Sequence, residues 1–431
     1  MYICTVINYN IMCTYIKYTI LFLLICINAG AQETYRSEIA RDNIKSLEIK
    51  VEGEFISSPF IDLNGEKSIE ISFDALHHTG RRFAYRVIHC DADWKKSALI
   101  PIEYINGFPH TVIDDYSNST ATTTNYTNYK LLLPNQNTQF IVSGNYVVQI
   151  YEEDNPSETV LTACFSVIEP LIDIDASISG NTNIDFNKEH QQIEFTIDKK
   201  DVVITYPQTD LKIFVYQNNN LNDVRTDIHP MTITNRQLQY KNNRQLIFEA
   251  GNEYRRIEFV THRYSGMGVD AIGFYDPYYH VTLMQGKTRA DRSYTYDQDQ
   301  NGRFFINCRG CNNPNTEADY YIVHFSLASQ QMTNGNVYIL GDLFNNIIDN
   351  NSLMEYNTET GMYEKAVLLK QGLYNFQYTF VENGGTKTTP KQTEGNFHET
   401  ENEYMILVYF RPMGARYDRL IGVKGVSNRR Q

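Results

Sequence analysis

Two stretches alternate apolar and polar residues with a period of two: KSLEIKV at residues 45–51 and SIEISF at residues 68–73. This alternation, with β-branched and aromatic residues among the apolar ones, is typical of strands that bury one face. Similar runs lie at residues 83–90, 126–133, 140–151 and 160–168, separated by Gly, Asn, Asp or Pro. The roughly seven strands before Pro170 are the number expected for an immunoglobulin-like β-sandwich.

The same strand pattern restarts twice further along the chain. Alternating runs follow Pro170, and another set follows the Asn-Asn-Pro-Asn turn at residues 312–315. Amphipathic helical stretches of useful length are nearly absent. We therefore expect an all-β chain of tandem sandwich domains: a first domain over residues 32–170, a second over 171–315 and a C-terminal one over 316–431.

A short internal repeat supports this interpretation. GNYVVQI at residues 144–150 is similar to GLYNFQY at residues 372–378, and GNEY at residues 251–254 is a looser copy. In each copy a glycine ends a turn and a tyrosine opens a strand. Such a tyrosine can pack its ring in the core and bond its hydroxyl to nearby backbone, as at the corner of a sandwich.

The N-terminus has the pattern of a secretory signal. Lys17 precedes the apolar run of residues 20–27, and Ala29-Gly30-Ala31 fits a cleavage site, which predicts a cleaved signal peptide over residues 1–31. The formal net charge is −13, from 38 basic and 51 acidic residues. This charge argues against binding nucleic acid or anionic lipid. The 42% hydrophobic and 21% charged fractions are those of a globular protein.

The DQDQNG stretch at residues 297–302 resembles the first half of a calcium-binding loop. Its twelfth position, however, is Cys308, where such a loop requires a bidentate glutamate. Asn301-Gly302 between two strand-like stretches is also a strong signal for a tight β-hairpin. We favour the hairpin.

Four cysteines lie outside the predicted leader. Cys308 and Cys311 have the spacing of a redox pair, but no helix follows that would lower a thiol pKa. A small loop disulfide or two unreactive thiols explains this pair more simply. Cys90 and Cys164 fall in strand-like segments, where one disulfide or two buried free thiols would fit.

Residues 89–94, with the sequence HCDADW, place a histidine, a cysteine and two aspartates close together. Adjacent strand residues point to opposite faces, so His89 and Cys90 are poorly placed to act on one atom. A strand end followed by an acidic turn and an anchoring Trp94 is the simpler explanation. FYDPYY at residues 274–279 places four aromatic residues around a proline turn. These aromatics are either recognition anchors or core residues.

Several separate motifs, in order along the chain, carry a family resemblance. The chain resembles the plug protein of the Bacteroidetes type IX secretion system through RDNIK at 41–45, YRVIHCDADW at 85–94, YINGF at 104–108, NYTNYKLLLPN at 125–135, SGNY at 143–146 and GNEYRR at 251–256. Residues 341–345 with 362–363 and 372–374 also resemble the early-set sandwich of carbohydrate-binding modules. The tryptophans that usually contact glycan there are missing.

The resemblance implies a periplasmic protein that caps the inner mouth of a giant outer-membrane β-barrel translocon. It implies no catalytic residue, cofactor, metal or small-molecule ligand, and the negative charge argues against a direct lipid anchor. Candidate partner-binding residues are Trp94, Phe274, Tyr275, Tyr278 and Tyr279. A secreted glycan-binding accessory protein is the alternative function. A hydrolase using His89 with Asp91 or Asp93 ranks third.

Overall fold

The computed structural model describes residues 33–78 and 80–429, which are almost entirely β-structure. The predicted signal peptide lies outside these residues. Three four-residue helices lie in the connections: α1 Pro101–Tyr104, α2 Pro207–Asp210 and α3 Pro314–Glu317. Among the residues described, no helix has the length and apolarity needed to cross a membrane. The prediction of an all-β chain built from sandwiches is confirmed.

Thirty strands are present in the described residues. The first twelve are β1 Glu38–Ile39, β2 Ile44–Val51, β3 Phe60–Asp62, β4 Ile69–Ala75, β5 Phe83–Cys90, β6 Ile105–Gly107, β7 His110–Val112, β8 Tyr116–Asn118, β9 Thr127–Leu133, β10 Thr138–Phe140, β11 Gly144–Glu152 and β12 Thr159–Ile168. The next six are β13 Asp173–Ser179, β14 His190–Asp198, β15 Leu211–Gln217, β16 Thr232–Ile233, β17 Gln237–Tyr240 and β18 Ile247–Glu249. The last twelve are β19 Arg255–Phe259, β20 Val269–Tyr275, β21 Tyr278–Leu283, β22 Gly286–Lys287, β23 Phe304–Ile306, β24 Tyr320–Ala328, β25 Gly335–Leu340, β26 Glu355–Asn357, β27 Met362–Lys370, β28 Gly372–Glu382, β29 Glu403–Phe410 and β30 Arg419–Ser427.

Twenty-eight of these strands form three sandwiches, and β6 pairs with β10 in a separate two-stranded sheet. In sandwich 1, a sheet of order β1-β12-β11-β5-β7 with β3 beside β12 faces the sheet β2-β4-β9-β8. In sandwich 2, β13-β14-β17-β16 with β18 beside β14 faces β15-β29-β30. In sandwich 3, β19-β28-β23 with β25 beside β28 faces β20-β21-β24-β27-β26 with β22 beside β24. Each sandwich encloses its own apolar core.

Strand pairing crosses the predicted boundary between residues 315 and 316. The last two strands complete sandwich 2: β29 pairs with β15, more than 180 residues earlier, and β30 pairs with β29. Strands β19 to β23 join sandwich 3 through β28 and β24. The predicted ranges 171–315 and 316–431 therefore each contribute strands to both sandwiches.

The predicted hairpin around Asn301-Gly302 is wrong on its N-terminal side. Both residues have the positive φ of a tight turn, 52° and 88°, and β23 follows them. Residues 293–300, however, are not a strand. Their backbone is held by other partners instead, such as the side chain of Asn375, which accepts from the amide of Gln300 at 2.5 Å.

The repeated glycine–tyrosine motif forms two tyrosine corners. The hydroxyl of Tyr146 donates to the carbonyl of Val142 at 2.7 Å, and that of Tyr374 donates to the carbonyl of Lys370 at 2.5 Å. Both rings are buried, at 0% and 2% exposure. A Cβ on the preceding Gly144 would lie 2.5 Å from the His89 ring, which explains the glycine. The sequence prediction of buried corner tyrosines is confirmed for these two copies.

Changing Tyr146 to phenylalanine should lower the free energy of unfolding by about 1–2 kcal/mol, because a buried carbonyl loses its donor. Urea unfolding followed by circular dichroism measures this loss. The matched control is Tyr116→Phe, because Tyr116 is 51% exposed. An equal effect of both changes would show that the corner hydrogen bond contributes nothing specific.

The three sandwiches contact one another, and everything described from Tyr35 onward belongs to one compact unit. Between sandwiches 1 and 3, the carboxylate of Asp74 lies 2.6 Å from the ammonium of Lys370. Between sandwiches 2 and 3, Arg303 pairs with Glu403 at 2.7 Å. Each of these two contacts thus contains an ion pair.

Between sandwiches 1 and 2, the buried carboxylate of Asp418 accepts from the amide of Ala92 at 3.0 Å. Arg411, which pairs with Asp418 inside sandwich 2 at 2.8 Å, also pairs with Asp91 of sandwich 1 at 2.5 Å. Arg419 and Glu169 form a second pair at 3.0 Å. Apolar side chains surround these charges, and Ala92 packs with a buried cluster of sandwich 2. This contact therefore combines apolar burial with ion pairs.

Candidate docking surfaces

The first candidate surface is the hairpin formed by β20 and β21, which we call the aromatic hairpin. Tyr275 pairs with Tyr278 and Phe274 with Tyr279 across its two strands. The rings of Phe274 and Tyr279 meet edge to face with centroids 5.0 Å apart. Phe274 is 52% and Tyr275 69% exposed. Two aromatic rings of this size on a hairpin tip are suited to anchoring a protein partner.

The base of the aromatic hairpin is fixed by further rings. Tyr279 stacks on His262 at 4.9 Å and packs on the buried Tyr321 at 5.0 Å, so it belongs partly to the core of sandwich 3. Tyr275 lies against His280, with ring centroids 5.3 Å apart. The four predicted aromatics therefore divide into two exposed rings and two half-buried supports. Rings held in this way lose little conformational entropy on binding.

Trp94 lies on sandwich 1 and does not join the aromatic hairpin. Its ring is half-buried against the cluster of Cys90, Val147 and Cys164. Its backbone has a positive φ of 60°, and its carbonyl accepts from the amide of Tyr35 at 3.0 Å. Cys90 and Cys164 are free thiols. Trp94 thus covers a small core, and part of its ring remains available at the surface.

A second exposed surface was missed by the sequence reasoning. We call it the apolar end, and it consists of Ile100, Ile102, Phe108, Ile141 and Met413, at 54%, 79%, 65%, 47% and 90% exposure. Helix α1 carries Ile102, and the amide of Ile141 bonds to the last residue of that helix at 3.0 Å. Arg416, three residues after Met413, pairs with Glu103 of α1 at 2.6 Å.

Exposed apolar side chains gathered at one end of a sandwich are typical of interaction sites. The available sequence signal for the apolar end was Ile-Pro-Ile at residues 100–102, where two large apolar residues flank a proline in a connection. The contribution of Met413 could not be read from the sequence, because it comes from a turn more than 300 residues away.

The histidine, cysteine and aspartate of residues 89–91 are not arranged for catalysis. His89 is 1% exposed, and burial lowers its pKa to about 4, so the ring is neutral at pH 7. Burial also raises the pKa of the Cys90 thiol far above its ordinary value. Asp91 pairs with Arg411 at 2.5 Å. The three groups thus serve packing and the contact between sandwiches 1 and 2.

The two carboxylates of the calcium-like stretch are bonded within the protein. Asp297 pairs with Arg256 at 2.5 Å. The carboxylate of Asp299 accepts from the backbone amides of Tyr254 and Asn301. Burial raises the pKa of Asp299 to about 6. In the part of the chain that is described, no group of three or more His, Cys, Asp or Glu residues is placed to hold a metal ion.

Cys308 and Cys311 form a disulfide, one of the two arrangements left open by the sequence. The loop closes just before α3, and the carbonyl of Thr316 in that helix accepts from the amide of Thr120 in sandwich 1 at 2.9 Å. The disulfide therefore shapes the connection that leads into the contact between sandwiches 1 and 3.

Sandwich 1 is the part of the chain that matches a known protein family. A family model described as "Type 9 secretion system plug protein 1st domain" matches residues 44–169. This range lies inside the predicted first domain and spans β2 to β12. The chain belongs to the type 9 secretion system plug protein family. No curated protein matches it.

A solved structure extends the comparison beyond sandwich 1. The crystal structure of a hypothetical protein from Parabacteroides merdae is 57% identical in sequence and superimposes with a TM-score of 0.91. The match covers 92% of this plug-family chain and 100% of the other chain. All three sandwiches are therefore shared by the two proteins.

Membership of the plug family confirms the resemblance found in the sequence. It associates the chain with type 9 secretion, in a family of secretion-system proteins and not of enzymes. Nothing in these comparisons supports the glycan-binding alternative. The strands of the early-set resemblance, β27 and β28, lie in the two facing sheets of sandwich 3.

Proposed function

We propose that this plug-family protein works in the periplasm, where it binds the inner end of the giant outer-membrane β-barrel of type IX secretion and seals its pore between export events. A very wide barrel encloses a water-filled lumen, so closing it requires a broad folded body. The observation that carries the proposal is family membership, together with three sandwiches that form one compact unit. Ion pairs at the contacts, of which Asp74–Lys370 is fully buried, oppose bending of that unit.

The chemistry of the surface is consistent with this role. The exposed rings of Phe274 and Tyr275 offer a compact anchor for a protein partner. The net charge of −13 disfavours adsorption to anionic lipid beside the barrel. In this proposal the aromatic hairpin docks on the periplasmic turns of the barrel, and Trp94 provides a further contact on sandwich 1.

Co-purification tests the proposal directly. The tagged mature chain, isolated from detergent-solubilised envelopes, should bring down a large outer-membrane barrel protein. Cells that lack the plug protein should admit bulky antibiotics that the parent excludes. Recovery of no barrel protein, or unchanged permeability with every secretion gate intact, would contradict the proposal.

Changing both Phe274 and Tyr275 to serine should weaken barrel binding by about 30-fold or more, as expected for a loss of 2 kcal/mol or more at an interface anchor. Both rings lie outside the core, so the fold should be retained. Titration of the solubilised barrel with labelled plug protein measures the affinity. The matched control is Tyr206→Ser on sandwich 2, because Tyr206 is 59% exposed. Equal affinities for both variants would exclude the aromatic hairpin as the anchor.

The same titration distinguishes the two candidate surfaces. Ile102→Asn removes an apolar side chain of α1 that is 79% exposed, and it leaves the core residues unchanged. If this change weakens binding and the serine pair does not, the barrel contacts the apolar end instead of the aromatic hairpin.

A further inference from the structure

The outer edge of the aromatic hairpin is open. Strand β20 is the last strand of its sheet, and its one strand partner among the described residues is β21. From Ala271 to Tyr275, no described residue outside β21 forms a hydrogen bond with the backbone of β20. Alternate residues of an antiparallel strand direct their N–H and C=O groups away from the strand they pair with. Residues 271–275, which we call the open edge, therefore present backbone groups that another strand can bind.

Other outermost strands of comparable length have the protection that is typical of sheet edges. Val215 of β15 exchanges two backbone hydrogen bonds with Arg225, at 3.0 and 2.7 Å. The amide of Ile339 in β25 donates to the carbonyl of Ser352 at 2.9 Å. Strand β13 carries two exposed aspartates. The open edge of β20 has neither a covering segment nor a charge nor a proline, and the one bulge of β20 comes before Ala271.

The side chains of the open edge are apolar on both faces of the sheet. Ile272 packs against the core of sandwich 3, and Phe274 lies on the same face because it is two residues further along the strand. Ala271, Gly273 and Tyr275 alternate with them on the outer face. Phe274 and Tyr275 remain more than half exposed. An exposed apolar edge of this kind is a template for strand pairing with another chain.

The open edge is complementary to itself. When two copies run antiparallel with Gly273 at the centre, Phe274 of one copy lies opposite Ile272 of the other. In the same arrangement, Tyr275 lies opposite Ala271. Ala271 and Gly273 are small, which leaves room on the outer face for the Tyr275 ring of the second copy. The same residues thus serve both partners, as a twofold-symmetric interface requires.

Other alignments of the two copies are less favourable. A shift by one residue would turn the apolar side chains of one copy to the wrong face. A shift by two residues in one direction would put Asp270 opposite Phe274. The same shift in the other direction would put Asp276 opposite Ile272. With Gly273 at the centre, both aspartates lie outside the paired stretch and opposite each other, exposed to water and salt that screen their repulsion.

We propose that two copies of this protein form a dimer in which their β20 strands pair antiparallel about Gly273. This pairing joins the two hairpin sheets into one continuous sheet and covers the exposed rings of Phe274 and Tyr275. About four backbone hydrogen bonds and a few apolar contacts make a small interface, so the dimer should form at micromolar concentrations. The inference concerns the chain by itself and does not rest on the proposed function. A chain in the dimer could not dock on a barrel through the same rings.

Sedimentation equilibrium of the full mature chain measures the dimer. The weight-average mass should rise from that of one chain toward that of two between about 1 and about 300 μM protein. Ala271→Glu should weaken the dimer roughly tenfold or more, because it adds a charge to the open edge beside Asp276 of the second copy. The matched control is Thr282→Glu, because Thr282 is exposed directly opposite Ala271 on β21 but lies away from the open edge. A monomer at every concentration, or equal effects of the two glutamates, would overturn the proposal.

Disulfide cross-linking tests the alignment of the two strands. Ala271→Cys combined with Tyr275→Cys places each new thiol opposite one of the second copy, so mild oxidation should join the two chains. Neither change alone should do so, because identical positions of the two copies are then about 13 Å apart along the strands, too far for a disulfide. The parent chain, whose free thiols Cys90 and Cys164 are buried, gives the background. Equal cross-linking of the single and double variants, or none in the double variant, would contradict pairing about Gly273.

Discussion

Replacing Lys370 by methionine should lower the free energy of unfolding by about 3–5 kcal/mol, the largest loss expected from any single change considered for this protein. Lys370 is 2% and Asp74 0% exposed, and their charged atoms are 2.6 Å apart. Removing the ammonium leaves a buried carboxylate that keeps only the hydroxyl of Tyr320 and the amide of Asn128 as donors. Two neutral hydrogen bonds do not replace the lost charge.

Urea unfolding, followed by circular dichroism and by the fluorescence of the single tryptophan, measures this loss. The double variant Asp74→Asn with Lys370→Met should lose less than the single variant, because no unpaired charge remains buried. Lys424→Met controls for removal of an exposed lysine. A loss below about 1 kcal/mol for Lys370→Met would place this pair with ordinary surface ion pairs and contradict the prediction.

The same ion pair also holds sandwiches 1 and 3 together. Asp74 lies in sandwich 1 and Lys370 in sandwich 3, and neighbouring hydrogen bonds join the same two bodies, such as that from the hydroxyl of Tyr126 to the carbonyl of Ala318 at 2.6 Å. Breaking a buried pair at a contact costs more than breaking an exposed one. Lys370→Met should therefore loosen this contact before it unfolds either sandwich.

The local features of the fold were predictable from the sequence. Period-two alternation identified strands such as β2 and β4, because their apolar residues pack in the core of sandwich 1, although every residue of β4 is buried. The corner tyrosines Tyr146 and Tyr374 were also predictable, because each hydroxyl bonds to a backbone carbonyl only four residues earlier in the chain. Interactions between residues that are close in the chain can therefore be predicted from a single sequence.

The pairing of distant strands was not predictable in this way. Alternation indicates that residues 403–410 form a strand, but it carries no information about the partner, which is β15. The ion pairs between sandwiches could not be predicted from the sequence for a similar reason. Asp74 and Lys370 are separated by 296 residues, and nothing in either neighbourhood indicates that they meet.

The candidate sites differ in the same way: one is formed by neighbouring residues and was predicted, and the other is formed by distant segments and was not. The aromatic hairpin was identified because its four rings are consecutive around one turn, whereas their exposed and half-buried roles depend on Tyr321 and His262 in other elements. The apolar end is built from segments more than 300 residues apart in the chain, so no local pattern could reveal it.

Glu253→Gln should change the pH dependence of stability and make the protein more stable above pH 7. Glu253 is 1% exposed, and one oxygen of its carboxyl group accepts from the hydroxyl of Tyr294 and the amide of Glu401. The other oxygen is buried without a hydrogen-bond partner among the described residues. Burial raises the pKa of Glu253 to about 7, and the nearby carboxylates of Asp299 and Glu401 act in the same direction.

The sign follows from proton binding. Between pH 4.5, the ordinary pKa of this carboxyl, and about pH 7, the folded protein keeps a proton that the unfolded chain releases. The stability contributed by the neutral acid is therefore complete below pH 4.5 and is lost as the pH rises to 7. Glutamine stays neutral at every pH and can place its amide where the protonated oxygen lies. The variant should match the parent near pH 4.5 and exceed it by about 3 kcal/mol at pH 8.

Urea unfolding of both proteins from pH 4.5 to 8 measures this difference directly. Other titrating groups, such as Asp299 and His89, are present in both proteins and largely cancel. Glu359→Gln is the matched control, because Glu359 is exposed and its replacement should leave the pH profile of the parent unchanged. A constant difference between Glu253→Gln and the parent across this range would mean that Glu253 is charged in the folded protein throughout, and that the polar groups around it compensate for its burial.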